Sequence, residues 1–491
     1  MSLYKSLFKQ TLIYGLATVL PRMISFLLNP LFVHALPKNE FADVSIIFAW
    51  LVFFNVILSY GMETSFFRYY NIEGTSDSEL AKQNKDNVIS TSAISIFWTS
   101  LVFLSISLLF RGTIANWVGT NTEYITYTIW ILVLDALVII PFSKLRAERR
   151  PMQYAVIKIG NVSINLGLNL FFLMVLPNIS SENPLRMFYF ENFQVGYIFV
   201  SNLIASLLTF IVFVPNYFRM KWNFNALLWK KMIAYGLPIL IAGIGFAINE
   251  HFDKILLEKL NVPKSEIGAY SACYKLGMFM VLFRTAYTLG IEPFFFSHAD
   301  KENASQTYAT ITKYFVISGS FILLFVIVFI DILKRFLVPN PSYWEAEKVV
   351  PLIVLANFFL GIYTNLSVWY KLINKTHVGA VISLVGAFLT LLLNFCLVPY
   401  MSYYGSAIAT IAAYGSMMFI SYYMGQKQYP IPYEIEKIGK YLGIAILFSA
   451  LSFYVPMFRK SYIFGIFALI AFGYYIFQNE KPTILRILKR N

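Results

Sequence analysis

The chain has 491 residues, of which 58% are hydrophobic and 13% charged, with a mean hydropathy of +0.64. Soluble proteins average about 25% charged residues, so a string of soluble domains is excluded. The net charge of +14 lies in short loops beside apolar spans, which is a topology signal and excludes nucleic acid as the partner.

Apolar spans long enough for a bilayer-crossing helix, about 20 residues, recur about fourteen times. The first, 11–36, carries Pro21, Pro30 and, near its middle, Arg22. Spans 41–63, 88–110 and 123–143 follow, the last with Asp135 at mid-depth. Span 152–176 places Lys158, Asn161, Asn165 and Asn169 at steps of 3, 4 and 4, one face of a helix. Spans 191–215 and 229–252 come next, and Glu250 and Asp253 stand three apart at the end of the latter. Span 266–292 holds Lys275 and Arg284, nine residues apart and so on nearly opposite sides of a regular helix. The remainder are 311–333, 347–370, 376–399, 403–424, 437–456 and 461–478. The expected fold is an all-α polytopic membrane protein.

Lysine and arginine set the orientation. Loops and tails on the N-terminal side carry 24 of them, and loops on the other side carry 11. That bias puts both termini in the cytoplasm. The first apolar run is too long for a signal peptide and lacks a cleavage pattern.

Fragments recur in order. Tyr14-Gly15-Leu16 returns as Tyr235-Gly236-Leu237, and the stretch from Leu36 (LPKNEFADVS) returns from Val262 (VPKSEIGAYS). Asn169 and Asn394 each open a run ending in Leu-Pro or Val-Pro, and GYIFVS from Gly196 matches GSAIAT from Gly405. The reading is a duplication of six helices each: an N-terminal lobe over 1–218 and a C-terminal lobe over 219–425. Six is even, so the copies are parallel repeats with a substrate site expected between them. Residues 426–491 add helices 13 and 14 and a basic tail. The Pro-containing stretch QKQYPIPYEIE from Gln426 reads as a semi-rigid surface linker. The extra pair is expected to serve a lipid tail and not to hold the twelve-helix core together.

No enzyme motif is present. There is no P-loop and no HExxH, the histidines His34, His251, His298 and His377 are scattered, and Cys273 and Cys396 lie in apolar spans. A membrane glycosyltransferase or ligase, the enzyme alternative, would be expected to place acidic motifs in sizeable loops, and the loops here are short and mainly basic. Ionisable residues inside spans are the informative set, because their cost marks pathways or ion pairs. Arg22 has two readings: a structural pair with Asp135, or a cavity-facing contact to an anionic group, for which guanidinium's planar fork suits phosphate. Lys158, Asn161 and Asn165 form either a helix-packing stripe or a sugar-facing wall. Lys275 and Arg284 are further substrate-binding candidates. Asp135, Glu250 and Asp253 are candidates for a coupling proton or sodium ion. No metal site or other cofactor is expected.

Four stretches together resemble the polysaccharide-transporter family of bacterial oligosaccharide-lipid flippases, within the superfamily that also holds multidrug/toxin-extrusion transporters and lipid II flippases. They are YGLATVLPRMISFLLNPLFVHALPKNEFADVS (14–45), YGMETSFFRYYN (60–71), YGLPILIAGIGFAINEHFDKILLEKL (235–260) and NFCLVPYMSYYGSAIATIAAY (394–414). Asp253-Lys254 looks like the acidic–basic pair ending helix 7 in that family. The resemblance implies two six-helix lobes around a cavity with alternating access, in the bacterial inner membrane. It implies an undecaprenyl-pyrophosphate-linked oligosaccharide as cargo, for O-antigen, capsule or exopolysaccharide synthesis, with membrane lipid and polysaccharide polymerase machinery as partners. An ion-coupled multidrug exporter of the same fold is the alternative. Basic residues within the spans fit a pyrophosphate better than a cationic drug.

Overall fold

A computed structural model describes residues 3–72, 79–297, 302–373, 375–459 and 462–488. His298, Lys489 and Arg490 lie outside the described residues. The described chain is helical, and it divides into two compact units, 1–268 and 269–491.

The first unit holds α1 (Leu3–Ala35), α2 (Lys38–Ser59), α3 (Met62–Ile72), α4 (Glu79–Leu109), α5 (Arg111–Val118), α6 (Thr122–Leu137), α7 (Ile139–Ala147), α8 (Pro151–Leu170), α9 (Gln194–Arg219) and α10 (Ala226–Lys259). The next helix, α11 (Lys264–Tyr274), runs across the division. The second unit holds α12 (Met278–Ser297), α13 (Ala304–Val328), α14 (Ile330–Leu337), α15 (Val350–Leu366), α16 (Val368–Leu372), α17 (Thr376–Met401), α18 (Tyr403–Gln428), α19 (Ile435–Tyr454), α20 (Pro456–Arg459) and α21 (Ile463–Leu488). Eleven helical stretches among the described residues are long and apolar enough to cross a membrane. The polytopic all-α fold expected from the sequence is the one observed.

Several elements at the repeated sequence positions are alike. α9 and α18 are both 26 residues long, and the short α5 and α14 are both 8. α2 starts at Lys38 and α11 at Lys264, the Leu-Pro-Lys and Val-Pro-Lys positions of the repeat. Asn169 and Asn394 share one local geometry. Each is fully buried, and each Nδ2 donates to a carbonyl four residues back, Asn165 O at 2.8 Å and Thr390 O at 2.7 Å. Each Oδ1 is buried with no hydrogen-bond partner.

Local chemistry explains the breaks. α2 stops because Tyr60 (φ 33°) and Gly61 (φ 72°) take left-handed backbone, a conformation glycine adopts without steric cost. There α10 crosses at backbone contact: a Cβ on Gly61 would lie 2.3 Å from the Gly236 carbonyl oxygen. Ser65 Oγ donates to Met232 O at 2.8 Å, and the Arg68 guanidinium lies 4.3 Å from the Tyr235 ring centre. Gly236 is thus needed for close approach, whereas its repeat partner Gly15 has open space around it. Gly61→Ala is expected to lower the melting temperature of the purified protein strongly. Left-handed strain costs about 1–2 kcal/mol, and overpacking adds about 1–3 kcal/mol. Gly15→Ala should leave melting unchanged; equal effects of the two would refute the crossing.

The span expected over 266–292 is not one regular helix. A 3-10 turn over Lys275–Gly277 separates α11 from α12. Lys275 and Arg284 therefore do not stand on one regular helix, and their nine-residue spacing does not place them on opposite faces.

The extra helices are built into the second unit. Tyr441, Ala445, Ser449 and Ser452 form a buried stripe along α19, which packs on α13. Near the start of α13, the buried Lys313 Nζ meets Glu434 at 2.7 Å and Glu480 at 3.2 Å. Tyr314 and Tyr441 hydroxyls donate to the same Glu480 carboxylate, both at 3.1 Å. Past the end of α13, Arg459 bonds Asp331 at 3.0 Å and Glu347 at 2.9 Å, and Lys334 meets both at 2.6 Å. Burial pushes the Asp331 carboxyl up, but hydrogen bonds from Arg459 and Lys334 outweigh it and hold its pKa below the ordinary value. Hydrogen bonds from Lys313 and Lys437 likewise hold Glu434 low. A depressed carboxylate stabilises the fold above its unfolded pKa and loses that contribution as pH falls through the folded one. These clamps therefore persist at neutral pH and weaken only in acid. The linker is also more than a surface strap: Ile431 is buried against Phe295 and Tyr308, and Gln426 Nε2 donates to its carbonyl at 2.8 Å.

Candidate functional site

Three helices of the first unit bring polar side chains together within an apolar bundle. α6 starts cleanly because Asn121 caps it, its side chain accepting from Glu123 N. It carries Asp135 inward, where Ser206 Oγ of α9 donates to Asp135 Oδ1 at 2.8 Å. Proline at its first turn sets α8, which carries Lys158 close enough for its charge to act on Asp135. The Lys158 ammonium sits 4.5 Å from the Phe142 ring centre. One turn on, Asn161 Nδ2 donates to Thr209 Oγ1 at 2.9 Å. Asn169 folds back on Asn165, donating to its Oδ1 at 2.6 Å. The cluster offers one carboxylate, one ammonium with an aromatic face beside it, and amide and hydroxyl groups.

Of the residues singled out from the sequence, Asp135, Lys158, Asn161 and Asn165 belong to this neighbourhood. Two of the carboxamides are used in packing, Asn161 across to α9 and Asn169 along α8. Arg22 lies on α1 with an exposed side chain, and α1 packs against α8. Asp253 and Lys254 form a buried pair at 3.0 Å near the end of α10, and Glu250 is 3.8 Å from His251. Lys275 and Arg284 belong to the second unit. Lys275 occupies the 3-10 turn, and the Arg284 stem runs beside Gly361 of α15. Sequence reasoning missed Ser206 and Thr209. Their three-residue spacing with Asp135's partner face is a weak signal, because serine and threonine commonly satisfy themselves on the helix backbone.

Residues 7–287, more than half of the chain, match the family described as Polysaccharide biosynthesis protein. Residues 238–396 match the MatE family. No curated protein matches the sequence. Among solved structures, the fold is similar to the lipid II flippase MurJ in an inward closed conformation, at 14% identity. That match covers 95% of this chain and 99% of the other, with a TM-score of 0.71. It is also similar to an inward-facing multidrug resistance MATE family transporter of the MOP superfamily (12% identity, 88% and 96% covered, TM-score 0.65). A MOP superfamily transporter from Pyrococcus furiosus, described by the reverse polarity of its binding pocket, is a third (13% identity, 86% and 95% covered, TM-score 0.58). At such identities the likeness is one of fold. The family match carries membership: the chain belongs to the polysaccharide biosynthesis protein family and has the fold of the superfamily of lipid flippases and multidrug exporters.

Proposed function

We propose that this protein is a bacterial inner-membrane flippase that moves polyprenyl-pyrophosphate-linked oligosaccharide units to the outer leaflet for O-antigen, capsule or exopolysaccharide synthesis. The observation that carries the reading is the polysaccharide-biosynthesis family match over 7–287. The extra helical pair supports it, since a long isoprenoid tail needs more lipid-facing surface than a compact drug does. So do the basic residues Arg22, Lys158, Lys275 and Arg284 within or beside spans, whose charge suits a pyrophosphate. The functional lobes follow the repeat, 1–218 and 219–425, with both termini cytoplasmic and no bond made or broken in the cargo. Asp135, Glu250 and Asp253 are the acidic groups available to a coupling proton or sodium ion. Polysaccharide polymerase machinery is the expected consumer of the product.

The MatE match over 238–396 favours a second reading, an ion-coupled multidrug exporter. Complementation separates the two. The wild-type chain should restore surface polysaccharide to a strain lacking its own oligosaccharide-lipid flippase. Arg22→Ala should insert normally and fail, and Arg22→Lys should work in part, keeping charge but losing the fork. Drug resistance without restored polysaccharide would favour the exporter.

A further inference from the structure

The first unit contains a cavity of about 770 Å³, within the size range of small-ligand pockets. It is walled by the start of α4, the turn joining α7 to α8, and the end of α9. By the bias of basic residues, this is the cytoplasmic end of the helices. Four cations stand at its rim, Lys144, Arg150, Arg219 and Lys221, against two carboxylates, Asp86 and Glu148. The rim therefore carries a net charge of +2. Glu148 is shared, 3.1 Å from Arg150 and 3.7 Å from Lys144, and Lys221 is 3.9 Å from Asp86. Arg219 forms no ion pair among the described residues. Deeper in, the lining turns apolar, with Ile140, Ile157 and Phe213. Phe213 packs edge-on against Phe142 at 4.8 Å, and neither Lys158 nor Asp135 lines the cavity. To the side, Met152, Val156 and Val212 line the cavity and are 61%, 65% and 55% exposed. On a membrane protein, such exposed apolar side chains on helix flanks face acyl chains.

We infer that this cleft is a binding site for an anionic phospholipid of the inner leaflet, with the phosphate on the basic rim and an acyl chain leaving between α8 and α9. A soluble anion would use the rim alone. It would leave unexplained an apolar floor that continues to a lipid-facing mouth. An anionic lipid matches both halves, and surplus positive charge beside a membrane surface attracts acidic headgroups. The site lies within one unit and does not depend on which cargo crosses.

The test uses the full chain purified in neutral detergent, with native mass spectrometry reading bound lipid. Phosphatidylglycerol should be retained at least tenfold better than zwitterionic phosphatidylcholine. Lys144→Gln/Arg150→Gln/Arg219→Gln should abolish that preference, while Lys375→Gln/Lys427→Gln, basic residues of the second unit, should keep it. Glu148→Gln, which raises the rim's charge, should strengthen retention, an effect of opposite sign that a folding defect would not give. Unchanged retention in the triple variant, or weaker retention in Glu148→Gln, would overturn the site. Displacement of phosphatidylglycerol by millimolar inorganic phosphate would show a soluble-anion site and also overturn it.

Discussion

A chain cut after Gln426 should fail to accumulate as folded protein. The cut removes both Glu434 and Glu480, the two carboxylates that hold the buried Lys313. It also removes Arg459, which joins Asp331 to Glu347 at the other end of α13. Lipid can cover the apolar face of α13 that α19 leaves, so the hydrophobic loss is small. It cannot easily cover a stranded ammonium. Breaking a buried pair by removing one side costs about 3–5 kcal/mol, a large fraction of a typical stability of about 5–15 kcal/mol. Membrane abundance should fall at least tenfold. Adding Lys313→Leu to the truncated chain should recover part of it, because the uncompensated charge is gone. Glu480→Ala in the full-length chain should reproduce much of the loss. A truncated protein that melts like the full chain's core would refute this structural role for the extra helices.

Asp135→Ala should destabilise the first unit by leaving Lys158 without its opposite charge and Ser206 without its acceptor. Severing a fully buried pair costs about 3–5 kcal/mol; Lys158 acts on Asp135 by charge without an ion-pair contact, and both residues are only partly buried, so the expected loss lies below that range. Ser206→Ala removes one hydrogen bond to a charged group, about 1.5–3 kcal/mol. The cycle distinguishes pairing from transport. Asp135→Ala/Lys158→Met should recover the folded yield lost in Asp135→Ala. If the pair also serves transport, the recovered protein will insert and melt normally but remain inactive. Full recovery of both yield and transport would make the pair purely structural. Failure of Lys158→Met to recover the yield would show that Asp135 is held by Ser206 alone.

Much of the fold is legible from the sequence because a bilayer leaves helices few alternatives. The polytopic all-α class follows from apolar run lengths, although of about fourteen spans read from the sequence eleven helical stretches among the described residues are long and apolar enough to cross a membrane. The breaks at Tyr60-Gly61 and Lys275–Gly277 do not follow. They depend on a backbone crossing and on tertiary packing, which run lengths do not encode. The docking of α19–α21 is also hidden, since Lys313 lies more than a hundred residues from both Glu434 and Glu480 and each looks like an ordinary loop or helix-end charge. At the site, Asp135, Lys158 and Asn161 stand out because polar groups inside spans are rare. Ser206 and Thr209 do not, because their side chains cost little in a membrane helix. Which charge faces which is a matter of helix rotation, and no periodicity in α6, α8 or α9 fixes that.

Leaflet transfer of a lipid-linked oligosaccharide is directly measurable by reconstitution. The purified chain is placed in sealed vesicles with a fluorescent polyprenyl-pyrophosphate oligosaccharide. The fraction reaching the outside is read by a membrane-impermeant quencher. The protein should speed transfer many-fold over empty vesicles, the cargo should be recovered chemically unchanged, and Arg22→Ala vesicles should resemble empty ones. Transfer no faster than in empty vesicles, alongside active movement of a cationic dye, would contradict the flippase reading.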